Sequence, residues 1–189
     1  MITDPPYNAH YDYTRARRRL STWDRNFAGH DQDFDPTPWL RFAEVILFGA
    51  DHYRDRLPRG GSWICWDKLA GTTPADFAPG EWAWTSLNIP PQFFPHLWRG
   101  GMRAGRETSS RLRQKYHPAQ KLETVLQQCV HLIPPGTTIL DPFMGSGSTL
   151  VACVLEGYPC IGIEMDPAYF QVACQWVVDV QQQPDRFQQ

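Results

Sequence analysis

Residues 137–166 read TTILDPFMGSGSTLVACVLEGYPCIGIEMD. TTILD (137–141) is a short, β-branched apolar run ending on an acid, the pattern of a buried strand. FMGSG then reads as a glycine loop and STLVACVLEG as a helix capped by Gly157. PCIGIEMD reads as a second strand with an acidic end. Strand, loop, helix and strand in this order predict a parallel α/β unit. Gly145 and Gly147 allow backbone amides to approach a ligand closely at the helix N-terminus. Glu164 lies 23 residues after Asp141, where a carboxylate can accept hydrogen bonds from ribose hydroxyls. The dinucleotide fingerprint would need a glycine where Leu150 stands, and a Walker loop would need a lysine where Ser148 stands. What remains is a nucleoside ligand without a polyphosphate, and S-adenosylmethionine suits that description.

Outward from this unit the chain keeps alternating. DPAYFQVACQWVVDVQQ predicts a closing amphipathic helix, with Asp166 as cap and Pro167 in the first turn. Upstream, HPAQKLETVLQQCVHLI predicts a helix stopped by PPG at 134–136. RGGSWICWDKL and EWAWTSLNI predict strands, and PWLRFAEVILFGADHY, from 38 to 53, has the apolar spacing of a helix. Residues 90–116 change character, rich in Pro, Gly and Arg, and read as an excursion out of the sheet. From Arg99 to Lys121 there are seven basic residues against one acid, Glu107. The expected fold is a Rossmann-like α/β domain, with a mostly parallel sheet and helices on both faces. It is expected to fill residues 1–180 and to leave a tail at 181–189. Residues 1–89 form one half, 90–116 the excursion and 117–180 the cofactor half.

Composition narrows the class. A chain of 189 residues is one domain's length, and a net charge of −2 means that any polyanion surface must be local. Five cysteines without a CxxC pair argue for reduced thiols in the cytoplasm and against a zinc site or disulfide framework. No run approaches the ~20 apolar residues of a membrane span. The expectation is therefore no metal and no membrane.

The second informative stretch is TDPPY at residues 3–7. Consecutive prolines fix φ near −65° and remove two backbone donors, while the residue ahead of each is pushed out of the helical region. The product is a stiff corner carrying the Asp4 carboxylate, free carbonyls and the Tyr7 ring. ITDPPY, HPAQK, LDPFMGSGST and IGIEMDPAYF, in this order and spacing, resemble the DNA amino-methyltransferases whose catalytic motif precedes the cofactor motif, the beta group. The likeness spans roughly residues 1–178; WICWDK and WAWTS also resemble the family's middle strands, as in small phage-type members. The usual HPTQKP reads HPAQKL here, with Ala119 and Leu122 in place of the hydroxyl and the proline. The strand leading into the corner is short, only Met1 to Thr3.

The resemblance implies a methyl transfer from S-adenosylmethionine to the N6 amine of adenine in DNA, after the base leaves the duplex. Asp4 and the Pro5 carbonyl would each accept an N–H of the amine, with Pro6 stiffening the corner and Tyr7 stacking on the base. The cofactor would lie against Asp141, Phe143, Gly145, Ser146, Gly147, Ser148 and Thr149. Glu164 would hold its ribose, and His117, Gln120 and Lys121 would sit near its methionine carboxylate. DNA phosphates would meet Arg15, Arg17, Arg18 and Arg19, together with Arg106, Arg111 and Arg113 in the excursion. The expected partners are DNA and, through the short first strand, a second copy of the chain. The alternatives are cytosine-N4 transfer, for which Ser more often replaces Asp4, and a catalytically impaired DNA-binding relative.

Overall fold

A computed structural model describes residues 1–7, 33–72, 78–99, 102–103 and 121–182. The arginines at 15, 17, 18, 19, 106, 111 and 113, His117, Gln120 and the tail from 183 lie outside them.

Strand β1 (Ile2–Thr3) opens a five-stranded sheet with β2 (Ile46–Phe48), β3 (Ser62–Asp67), β4 (Gly80–Thr85) and β5 (Gln92–Pro95), in the order β1-β2-β4-β3-β5. Pairs β1–β2 and β3–β5 are parallel, whereas β4 runs antiparallel to both β2 and β3. A small hairpin, β6 (Trp98–Arg99) with β7 (Met102–Arg103), follows. Helix α1 (Glu123–Val130) leads to β8 (Ile139–Asp141), helix α2 (Ser148–Leu155), β9 (Cys160–Gly162) and helix α3 (Pro167–Gln182). Strands β8 and β9 are parallel, as the βαβ reading of 137–166 requires. β8 lies against β1, and the Thr3 hydroxyl donates to Asp141 Oδ1 across 2.6 Å.

One sheet face buries Ile2, Ile46, Phe48, Ile64, Trp66 and Phe94 against α1 and α2. The alternation within β3, with Ile64 and Trp66 inward and Trp63 and Cys65 toward the other side, follows from the two-residue period of a strand. The opposite face packs Val45, Leu47 and Trp84 beneath Phe34, Trp39, Tyr53 and Phe143. Among the described residues that cover is made of turns and two short 3-10 segments, Ala50–His52 and Arg54–Arg56. α3 docks on α2 through Trp176 and Val180 against Val151.

The helix expected over 38–53 does not form. Its apolar centre is instead the strand Ile46–Phe48 inside the sheet, fully buried together with Val45 ahead of it. A strand covered on both faces is apolar at successive positions, so its pattern loses the two-residue alternation and imitates a helix. The excursion at 90–116 also starts differently, because Gln92–Pro95 joins the sheet as β5. This strand lies at the sheet edge, the position where Pro95 can be accommodated.

Candidate functional site

The TDPPY corner begins where β1 ends, and the glycine loop begins where β8 ends. Because these strands are neighbours, the chain folds both segments to the same edge of the sheet, the usual ligand side of an open α/β sheet. Asp141 ties them: its Oδ1 accepts the Thr3 hydroxyl and, at 3.1 Å, the Phe143 amide. Burial pushes the Asp141 carboxyl up, against the hydrogen bonds from Thr149, Thr3 and Phe143 that favour its ionised form.

Around Asp4 the structure assembles a buried ion chain that the sequence did not announce. Asp4 Oδ2 lies 2.7 Å from Lys121 Nζ. The same ammonium is paired with Glu81 on β4, and Glu81 Oε2 lies 2.7 Å from Lys68 Nζ just after β3. The chain therefore runs Asp4, Lys121, Glu81, Lys68, with two charges of each sign. Burial, then the Glu81 charge, pushes the Asp4 carboxyl up to about 6 despite the opposing pull of Lys121. Burial also disfavours ionised Glu81, but Lys121 and Lys68 outweigh it and hold Glu81 down at about 2. Lys121 is held well above the ordinary lysine range: burial works against its charge, but Asp4 and Glu81 overcome that penalty. The other oxygen of Asp4, Oδ1, is enclosed and has no hydrogen-bond partner among the described residues. A buried acceptor without a donor costs roughly 1–3 kcal/mol, so this oxygen has capacity for one further donor.

Tyr7 is placed by what lies beneath it. Its ring stacks on His52 with centroids 4.7 Å apart and planes 18° from parallel, and Tyr53 lies tilted at 6.3 Å. Gly49 permits this: a Cβ there would come within 1.9 Å of Tyr7 Cε1, and its φ of 67° is in the left-handed region. The turn that replaces the expected helix thus seats the aromatic ring of the corner.

The glycine loop is closed by Glu164. Its Oε2 accepts the Gly145 amide at 3.0 Å and its Oε1 accepts the Asp166 amide at 2.8 Å. Each carboxylate oxygen has a second lone pair, so capacity remains for hydroxyl donors. Gly147 starts α2 at φ 91°, without a side-chain cap, which leaves first-turn amides open to a ligand. Ser146, Ser148 and Thr149 are all buried in this turn. Phe143 is fixed by edge contacts with Trp39, at 5.2 Å, and Phe34, at 6.0 Å.

The structure therefore brings together Asp4, Pro5, Pro6, Tyr7, Lys121, Asp141, the 143–149 loop and Glu164. Lys121 is engaged by Asp4 and Glu81, so it belongs to the corner as much as to the loop. Sequence reading missed Glu81, Lys68, Gly49 and His52. A lone acid opening the aromatic strand EWAWT was the one available signal for Glu81.

Residues 83–175 match the N6/N4 DNA methylase family. Over that segment the chain is similar to this family. The Streptomyces caespitosus type II methyltransferase M.ScaI is 32% identical over 81 residues, covering 42% of the chain and 25% of M.ScaI. The matches span 30% or less of the curated relatives' own length. Among solved structures, the M1.HpyAVI–SAM complex superposes with a TM-score of 0.53 at 22% identity, covering 93% of this chain and 86% of that one. The PvuII DNA methyltransferase (cytosine-N4-specific) also gives 0.53, at 14% identity over 96% of this chain and 83% of its own. Both likenesses establish the methyltransferase fold. Among the described residues, no helix is long and apolar enough to cross a membrane.

Proposed function

We propose that the chain methylates an exocyclic amine of a DNA base, with adenine N6 as the preferred target and S-adenosylmethionine as methyl donor. The observation that carries this reading is Asp4: one oxygen is paired with Lys121 while the other is enclosed and without a partner among the described residues.

An exocyclic amine is a poor nucleophile because its lone pair is delocalised into the ring. An N–H donated to Asp4 Oδ1 and a second donated to the Pro5 carbonyl favour a pyramidal nitrogen with its lone pair localised. The two prolines hold both acceptors still, so the orientation is built in before the base arrives. Carboxylate charge near the nitrogen also stabilises the positive charge that grows there during transfer, and it offers a place for the departing amine proton. Tyr7, held over His52 and Gly49, offers an aromatic face for a base outside the duplex.

The loop fits the methyl donor. Open amides at the start of α2 suit its methionine end, and the remaining acceptor capacity of Glu164 suits its ribose. When bound there, S-adenosylmethionine supplies a methyl group on a positively charged sulfur. Transfer is then a single displacement that needs no covalent link to the enzyme.

The fold likeness to a cytosine-N4 enzyme at the same TM-score supports a second reading, N4 transfer at the same corner. The carboxylate at position 4 favours adenine. The two readings separate in the product. Unmethylated DNA incubated with protein and S-adenosylmethionine, then digested to nucleosides, should yield N6-methyladenine by mass spectrometry. Mainly N4-methylcytosine would reverse the choice, and no methylated nucleoside would refute the activity.

A further inference from the structure

Resting on the reading of Asp4 as the acceptor for the amine, we infer that Glu81 is a positioning residue for methyl transfer. By dividing the Lys121 ammonium with Asp4, it keeps that ammonium on one carboxylate oxygen and leaves the other for the substrate.

The geometry gives the reason. An ammonium has three donors and no orientation of its own, so a lysine facing a single carboxylate can straddle both oxygens. Lys121 does not: it lies 2.7 Å from Asp4 Oδ2 and is paired at the same time with Glu81 Oε1. Glu81 is in turn fixed by strand β4 and by Lys68 at 2.7 Å from its second oxygen. Lys121 also lies over the Phe48 ring, 5.3 Å from its centroid, which closes another direction of movement. Asp4 Oδ1 is left enclosed and without a donor among the described residues. Remove the Glu81 charge, and Lys121 is free to move fully onto Asp4 and occupy both oxygens. The carboxylate would then be better paired and less available to an amine.

Among the described residues, the titratable groups that face Asp4 are Lys121, Glu81, Asp141, Tyr7 and Tyr53. Of these, Glu81 and Asp141 disfavour its ionised form and Lys121 favours it. A fully formed carboxylate is the better acceptor, so kcat should rise with pH as Asp4 loses its proton. Neutralising Glu81 removes one repulsion and strengthens the pull of Lys121, and both changes move that acid limb to lower pH.

The experiment measures steady-state transfer to DNA for Glu81→Gln across pH, with binding of S-adenosylmethionine by calorimetry. The plateau kcat should fall about ten-fold or more with KM and cofactor affinity within a few-fold, since the interaction lost is one made in the transition state. The acid limb should move down in pH. Loss of Glu81 leaves Lys121 and Lys68 with an excess positive charge, so Glu81→Gln/Lys68→Met, which removes one charge of each sign, is measured beside it. The double variant should reproduce both changes. A parent-like plateau and acid limb in either folded variant would overturn the positioning role. Asp4→Asn separates this from the underlying reading: if it transfers at the parent rate, the catalytic assignment fails, whereas inactive Asp4→Asn with parent-like Glu81→Gln overturns the role of Glu81 alone.

Discussion

Gly49 shows how one residue outside the motifs can govern the corner. It combines a φ of 67° with a Cβ position that would fall 1.9 Å from the Tyr7 ring. Gly49→Ala should therefore destabilise the fold by about 2–4 kcal/mol, adding the left-handed backbone penalty to displacement of a packed ring. Urea unfolding checks this, and a midpoint equal to the parent's would show that the ring is not seated on the glycine. Motif spacing singled out Asp4, Tyr7 and Glu164, because each is anchored to a local run of glycine, proline or strand residues. It could not find Gly49, whose partner is 42 positions away in sequence, nor Glu81, whose bond to Lys121 spans 40 residues. Such pairs exist only once the sheet order is known.

At the scale of elements, those that agreed with the sequence are the locally determined ones. The strands around WICWD and EWAWT and the glycine-loop helix declare themselves through alternation, caps and turn residues. The αL glycine that opens α2 and Asp166, which accepts the Ala168 amide at 2.8 Å near the start of α3, are both visible as sequence signals. Residues 45–48 were misread because burial on both faces erases periodicity, and 92–95 because prolines at an edge strand look like a loop. Within the βαβ unit, Glu164 has two structural bonds as well as spare acceptor sites. Glu164→Ala should weaken S-adenosylmethionine binding by about 1.5–3 kcal/mol, the scale of lost charge-assisted hydrogen bonds. Unchanged affinity by calorimetry would remove Glu164 from the ribose contact.

Across the whole molecule, the order of strands is what makes a site. Setting β1 against β8 joins segments from opposite ends of the sequence, the TDPPY corner and the glycine loop, through the bond from Thr3 to Asp141. α1 carries Lys121 in at its start, and β4, inserted antiparallel, brings Glu81 to meet it. The result is a carboxylate paired with a lysine through one oxygen, its other oxygen enclosed and without a donor among the described residues, beside a loop suited to a nucleoside. We propose that this carboxylate orients the amine that accepts the methyl group. Its most direct test is transfer of labelled methyl from S-adenosylmethionine to unmethylated DNA by parent and Asp4→Asn protein, with cofactor affinity measured on both. Turnover of Asp4→Asn should fall about 10²–10³-fold or more, with cofactor affinity within a few-fold. Parent-level turnover by Asp4→Asn would contradict it.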